Sequence, residues 1–192
     1  MNTKIKSALI AVLGLGFILQ TNFIQLALAQ PSVVNKMIEP MKAKSIIRSR
    51  IAMCIVENMN LVESAKTEIM NSAFTLSTLA ATADNWNAKA NGKGANSKCV
   101  SSVQIDPTTG EITMTFDSYN LSNIPYNSTL VFTPYIQDGN APIQLATALA
   151  TQVTGVMDWG CASTTNTVAT RQGLPSLTLG TLPAKYAPWE CR

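Results

Sequence analysis

Apolar side chains recur three and four residues apart from Ser32 onward: Val33, Val34, Met37, Ile38, Met41, Ile47, Ile51, Ile55, Met59, Val62, Ile69, Ala73, Leu76 and Ala80. That period predicts one long helix over 32–83 with a single apolar stripe. Pro40 lies inside the pattern, where it lacks an amide donor and crowds the preceding turn, so a bend is expected there. Beyond the helix the chain turns polar from Asp84 to Lys98, and Gly92 and Gly94 predict an irregular connector. The period then falls to two. Residues 99–106 and 111–116 alternate around a turn at 107–110 and predict a hairpin, with further strands at 129–136 and 153–159. Pro134 predicts an edge position or a bulge in the third strand. One helix and four short antiparallel strands make an α+β domain in which the helix covers the apolar face of the sheet.

The first residues carry a different signal. Lys4 and Lys6 precede an apolar run over 7–19, and Ala27-Leu28-Ala29 supplies the small-x-small pattern of a signal-peptidase site. The expected division is a signal peptide over 1–29, cut before Gln30, and a domain over 30–192. The competing expectation is a retained leader or anchor, since 23–29 could lengthen a run that falls short of the roughly 20 residues needed to span a bilayer. Either way the domain lies on the oxidising side of a membrane.

That compartment suits the four cysteines, Cys54, Cys99, Cys161 and Cys191, none of which sits in a short C-x-x-C pattern. Three pairings are possible from sequence alone. The segment 161–191, with its scattered threonines, Gly173, Pro175, Gly180, Pro183 and Pro188, is too irregular to hold its own core. Closing it by a bridge favours Cys161 with Cys191, and by elimination Cys54 with Cys99.

Charge and chemistry exclude more than they suggest. The chain contains no histidine and its net charge is only +3, so neither an acid/base site nor a large phosphate-binding surface is implied. Gly92-Lys93-Gly94 lacks the frame of a phosphate loop. Asp158, Glu190 and Glu111 are unpaired in the pattern and read as ordinary solvated carboxylates; no catalytic residue, metal ligand or cofactor site is expected. The polar face of the helix is basic in its first half, and Lys42, Lys44, Arg48 and Arg50 are candidate contacts for anionic lipid headgroups or for acidic faces of neighbouring subunits. Trp86, Trp189, Tyr119, Tyr126 and Tyr135 read first as packing residues.

Several segments together resemble the type IV pilin family. Ile38-Glu39-Pro40-Met41 with Arg48-Ser49-Arg50 is similar to the mid-helix stretch of that family, and Val62-Glu63-Ser64-Ala65-Lys66-Thr67 to the region further along. Val100-Ser101-Ser102-Val103 with Gly110-Glu111-Ile112-Thr113 resembles its first hairpin. Asp158-Trp159-Gly160-Cys161 resembles the strand bearing the first loop cysteine, and the stretch 183–192 its closing segment, whose last cysteine bridges back. The start departs from the family pattern: Gly16-Phe17 echoes its leader cut, but Thr21 stands where the family has a glutamate. Gln30, Pro31, Ser32, Asn35, Lys36 and Glu39 also interrupt the apolar half-helix.

The resemblance implies a structural subunit or accessory component of a type IV pilus, at the cell surface, serving adhesion, motility or DNA uptake. Its partners would be other pilin subunits or pilus assembly proteins, with inner-membrane contact if the first segment is retained; nucleic acid is not implied. The alternative is a secreted or periplasmic pilin-like binding or regulatory module that does not polymerise.

Overall fold

The computed structural model describes residues 31–192, which form five strands and four α-helices with a closing 3₁₀ turn. The expected signal-cleavage residues Ala27, Ala29 and Gln30 lie outside the described residues. The chain divides into two compact units, Met1–Ile46 and Ile47–Arg192. In the first, the described residues belong to the opening of helix α1 (Pro31–Ser72), which contains Pro40 and an ion pair of 3.9 Å between Lys42 and Glu39.

In the second unit α1 buries Ile51, Cys54, Ile55, Val62, Ala65 and Ile69, a stripe at helical spacing. The helix stops at Ser72 rather than continuing to 83. Thr75 then caps a new helix, α2 (Leu76–Gly92): its hydroxyl accepts from the Thr78 amide while the Thr78 hydroxyl accepts from the Thr75 amide, a reciprocal capping box. The break resets the helical phase. Leu76, which continues the earlier stripe on paper, is exposed, and Leu79, Thr82, Ala83 and Trp86 turn inward instead.

The opening of the polar connector expected over 84–98 therefore belongs to α2, and the remainder is irregular. Its tryptophan is buried, with the indole N–H of Trp86 donating to the Val103 carbonyl at 2.8 Å. Regular helical dihedrals end before Lys89, and Ala90 and Asn91 adopt left-handed conformations. Gly94 packs so closely on Val103 and the Trp86 ring that any side chain there would collide with both.

The sheet consists of β1 (Val100–Ile105), β2 (Ile112–Phe116), β3 (Thr129–Gln137), the two-residue β4 (Ile143–Gln144) and β5 (Val156–Ala162), all pairings antiparallel. Four of the five are the strands the alternating pattern predicts, although the last begins at Val156 rather than 153 and includes Cys161. Between β4 and β5 lies the short helix α3 (Leu145–Thr151), which the pattern did not show; α4 (Thr167–Arg171) and the 3₁₀ turn Trp189–Cys191 lie in the C-terminal segment.

Strand β3 is central, paired with β2, β4 and β5, so the edge position expected from Pro134 is corrected. The proline is accommodated because β2 pairing ends at Phe132 and β4 pairing begins at Tyr135. It thus falls in a gap in the ladder on one side of the strand, where a missing donor is tolerated.

The β1–β2 turn explains the alternation that precedes and follows it. One Asp106 carboxylate oxygen accepts from the amides and hydroxyls of both Thr108 and Thr109. Gly110 completes the turn at φ +78°, a conformation that disfavours any side chain.

Candidate functional site

Strand β3 is buried along almost its whole length, which an amphipathic strand with one solvated face would not be. Two different layers cover it. Leu130, Phe132 and Ile136 point into the core shared with Ile55, Val62 and Ile69 of α1 and with Ile112, Met114 and Phe116 of β2. Residues 129, 131, 133 and 135 lie on the opposite face, by the period of two. That face is covered by the C-terminal segment, whose residues 174–182 run over the sheet as a strap.

The strap is fixed residue by residue. Leu174 packs its backbone against Gly160, where any side chain would strike the Leu174 carbonyl. The Tyr135 hydroxyl donates to the Pro175 carbonyl. Glu111, buried under the strap, accepts from the Leu177 amide at 3.1 Å, the Thr178 amide at 3.3 Å, the Thr178 hydroxyl at 2.7 Å and the Thr133 hydroxyl. Gly180 fits against the carbonyls of Thr129 and Ala162, and the amides of Thr181 and Leu182 both donate to the Thr129 carbonyl, at 3.0 and 2.9 Å.

The reading of Glu111 as a solvated carboxylate is corrected: it is a buried hub whose lone pairs are taken by four donors. Burial, followed by the charge of Glu111, pushes the Tyr135 phenol above its ordinary value. Asp158 is also engaged, accepting from the Gln137 side-chain amide and from its own strand at the Trp159 amide.

The segment has no core of its own but contributes to the main one. Leu174, Leu182 and Ala187 are buried, and the last two join the main core. The structure joins Cys161 to Cys191, with Cα atoms 4.5 Å apart, so both ends of the loop are tied to β5 on the core side. The second bridge joins Cys54 of α1 to Cys99, just before β1, with Cα atoms 6.2 Å apart.

Lys66 adds a second tie between helix and sheet. Its ammonium is 2.9 Å from Glu63 and 5.3 Å from the ring centroids of Phe132 and Trp159, over which it lies as a largely covered cation.

A helix is thus braced to one face of a five-stranded sheet, and a disulfide-closed C-terminal loop is strapped across the other. The pilin model, describing a bacterial filament protein, matches residues 55–192. A crystal structure of the type IV pilin of Pseudomonas aeruginosa strain Pa110594 matches at 36% identity and a TM-score of 0.70, over 74% of this chain and 97% of that one. The chain belongs to the type IV pilin family. Among curated proteins no relative matches it.

As a pilin fold it is a structural and not a catalytic scaffold, with a role in filament structure or assembly and a place outside the cytoplasm. Among the described residues no helix is long and apolar enough to cross a membrane, and no cluster of three or more acidic or cysteine side chains could hold a metal ion.

The basic residues singled out on α1 are all exposed but do not form one site. Lys42 and Lys44 belong to the first unit. Arg48 lines a groove with Lys185 and Arg192, whereas Arg50 lines another with Glu57, Lys98 and the Cys54–Cys99 bridge. The aromatic residues also divide: Trp86 and Tyr135 are buried packing residues, but Tyr119, Tyr126 and Trp189 are 95%, 82% and 66% exposed. Tyr119 and Tyr126 stand on the β2–β3 loop, which is pinned beneath by buried Leu121 and Ile124.

The strap was the main feature missed from sequence. Its one legible signal was the small residue in Trp159-Gly160-Cys161, inside a strand that otherwise favours bulk.

Proposed function

We propose that the chain is a structural subunit or accessory component of a type IV pilus, acting at the bacterial surface in adhesion, motility or DNA uptake. The observation that carries this reading is the likeness to a type IV pilin at 36% identity over nearly the whole of that chain. The strapped loop and the pinned β2–β3 loop then supply the surface that meets a target, while α1 supplies the element along which subunits pack against one another or against assembly proteins.

A second reading is supported by a separate feature. Gln30, Pro31, Ser32, Asn35, Lys36 and Glu39 place polar groups where a filament core needs apolar ones, and Ala27-Leu28-Ala29 offers an ordinary secretory cut. Under that reading the protein is a secreted or periplasmic pilin-like module that does not polymerise.

Mass spectrometry of filaments sheared from the native host separates the two. The pilus reading expects this chain in the filament fraction, beginning at Phe17 or nearby. Recovery only as a soluble monomer beginning at Gln30, with filaments lacking it, would overturn that reading in favour of the second.

A further inference from the structure

The groove at Arg48 combines cationic, aromatic and apolar side chains. It is a cavity of about 450 Å³ between α1 and the closing segment, and Arg48, Lys185 and Arg192 give it three cations while no acidic side chain lines it. The ion pairs among the described residues join Lys42 to Glu39, Lys66 to Glu63 and Lys89 to Glu68, so none of the three groove cations is neutralised by a carboxylate side chain.

Two of these cations are held in place. Arg192 donates from Nε to the Ala187 carbonyl at 3.0 Å, while its own main-chain oxygen accepts from the Val168 amide at 2.7 Å. The Lys185 ammonium is 4.8 Å from the centroid of the Tyr186 ring.

The rim is apolar and aromatic. Val56, which lines the groove, is 70% exposed, and Trp189, next in sequence to the lining residue Pro188, projects into solvent. Cations that pair with phosphate, an aromatic pair suited to an apolar–polar boundary and short apolar side chains make up the chemistry of a bilayer headgroup layer. A small soluble anion would engage the cations and leave Val56 and Trp189 unused.

We propose that this groove is a membrane-surface site that seats the headgroup of an anionic phospholipid. The site docks the folded domain on an acidic bilayer and does not require that the chain polymerise.

The test uses the full chain with vesicles of pure phosphatidylcholine and of equal parts phosphatidylcholine and phosphatidylglycerol. Whatever residues 1–29 contribute is the same in every variant, so the change of the affinity ratio on substitution is what reports on the groove. The ratio is expected to favour the anionic vesicles and to fall about fivefold for each of Arg48→Gln, Lys185→Gln and Arg192→Gln. A charge-matched control, Lys93→Gln with Lys98→Gln and Arg171→Gln, is expected to change it less than the groove triple variant.

Brominated lipids are expected to quench the exposed Trp189 on anionic vesicles, and Trp189→Phe to remove that quenching. Equal losses in the groove and control variants would overturn the proposal. So would inorganic phosphate shifting the same residues while vesicles do not bind, or salt-sensitive self-association that is lost in the groove variants without any preference for anionic vesicles.

Discussion

Glu111 and Tyr135 show how single side chains hold a segment that has little regular structure. Replacing Glu111 with alanine leaves the Leu177 and Thr178 amides and two threonine hydroxyls without their acceptor, at an expected cost of roughly 3 kcal/mol. Chemical denaturation would measure the loss, and amide exchange should show residues 174–182 opening before the sheet does. Tyr135 adds a pH dependence of determinate sign. Its folded pKa is raised above the ordinary 10.0, chiefly by burial, so its contribution is complete below that value and disappears as the pH climbs through the higher folded one. Thermal melts should therefore lose stability on the alkaline side. In Tyr135→Phe that slope should flatten, with a loss of about 1 kcal/mol at neutral pH from the missing bond to Pro175.

The elements were legible in proportion to how local their causes are. The Asp106–Gly110 turn and the alternation of β1 and β2 are set by neighbouring residues, and the sequence pattern finds them. The stop at Ser72 was not found, because apolar residues continue in register to Ala80 and only the Thr75–Thr78 box shows where a second helix starts. Thr75→Ala removes the hydroxyl that accepts from the Thr78 amide and is expected to cost about 1 kcal/mol, with fraying confined to the first turn of α2 in amide exchange. The Cys54–Cys99 bridge spans 45 residues and fastens α1 to the start of β1. The paired change Cys54→Ser with Cys99→Ser is expected to lower stability by about 4 kcal/mol through the unfolded chain, as measured by denaturant midpoint.

At the scale of the folded domain, the sheet is enclosed from both sides, by α1 on one face and by the strap on the other. This arrangement holds the loop surface against the sheet without giving the loop a core of its own. Gly160→Ala tests the enclosure directly, since a methyl group there meets the Leu174 backbone. The expected result is a displaced strap, read as faster proteolysis at 174–182, with both disulfides intact on peptide mapping. A variant with unchanged proteolysis would show that the strap is not seated on β5 at this point.

Composition and periodicity alone settled the α+β class, the apolar stripe of α1 and the β1–β2 hairpin, because each depends on residues close in the chain. Four cysteines and an irregular tail also pointed to a braced loop. Only the folded structure decided that β3 is central, that Trp86 is packed inside and that Glu111 is a buried anchor. Each of these depends on which distant segment lies opposite. For Glu111, the partners that make burial of a carboxylate tolerable are 22, 66 and 67 residues away, beyond the reach of any local pattern.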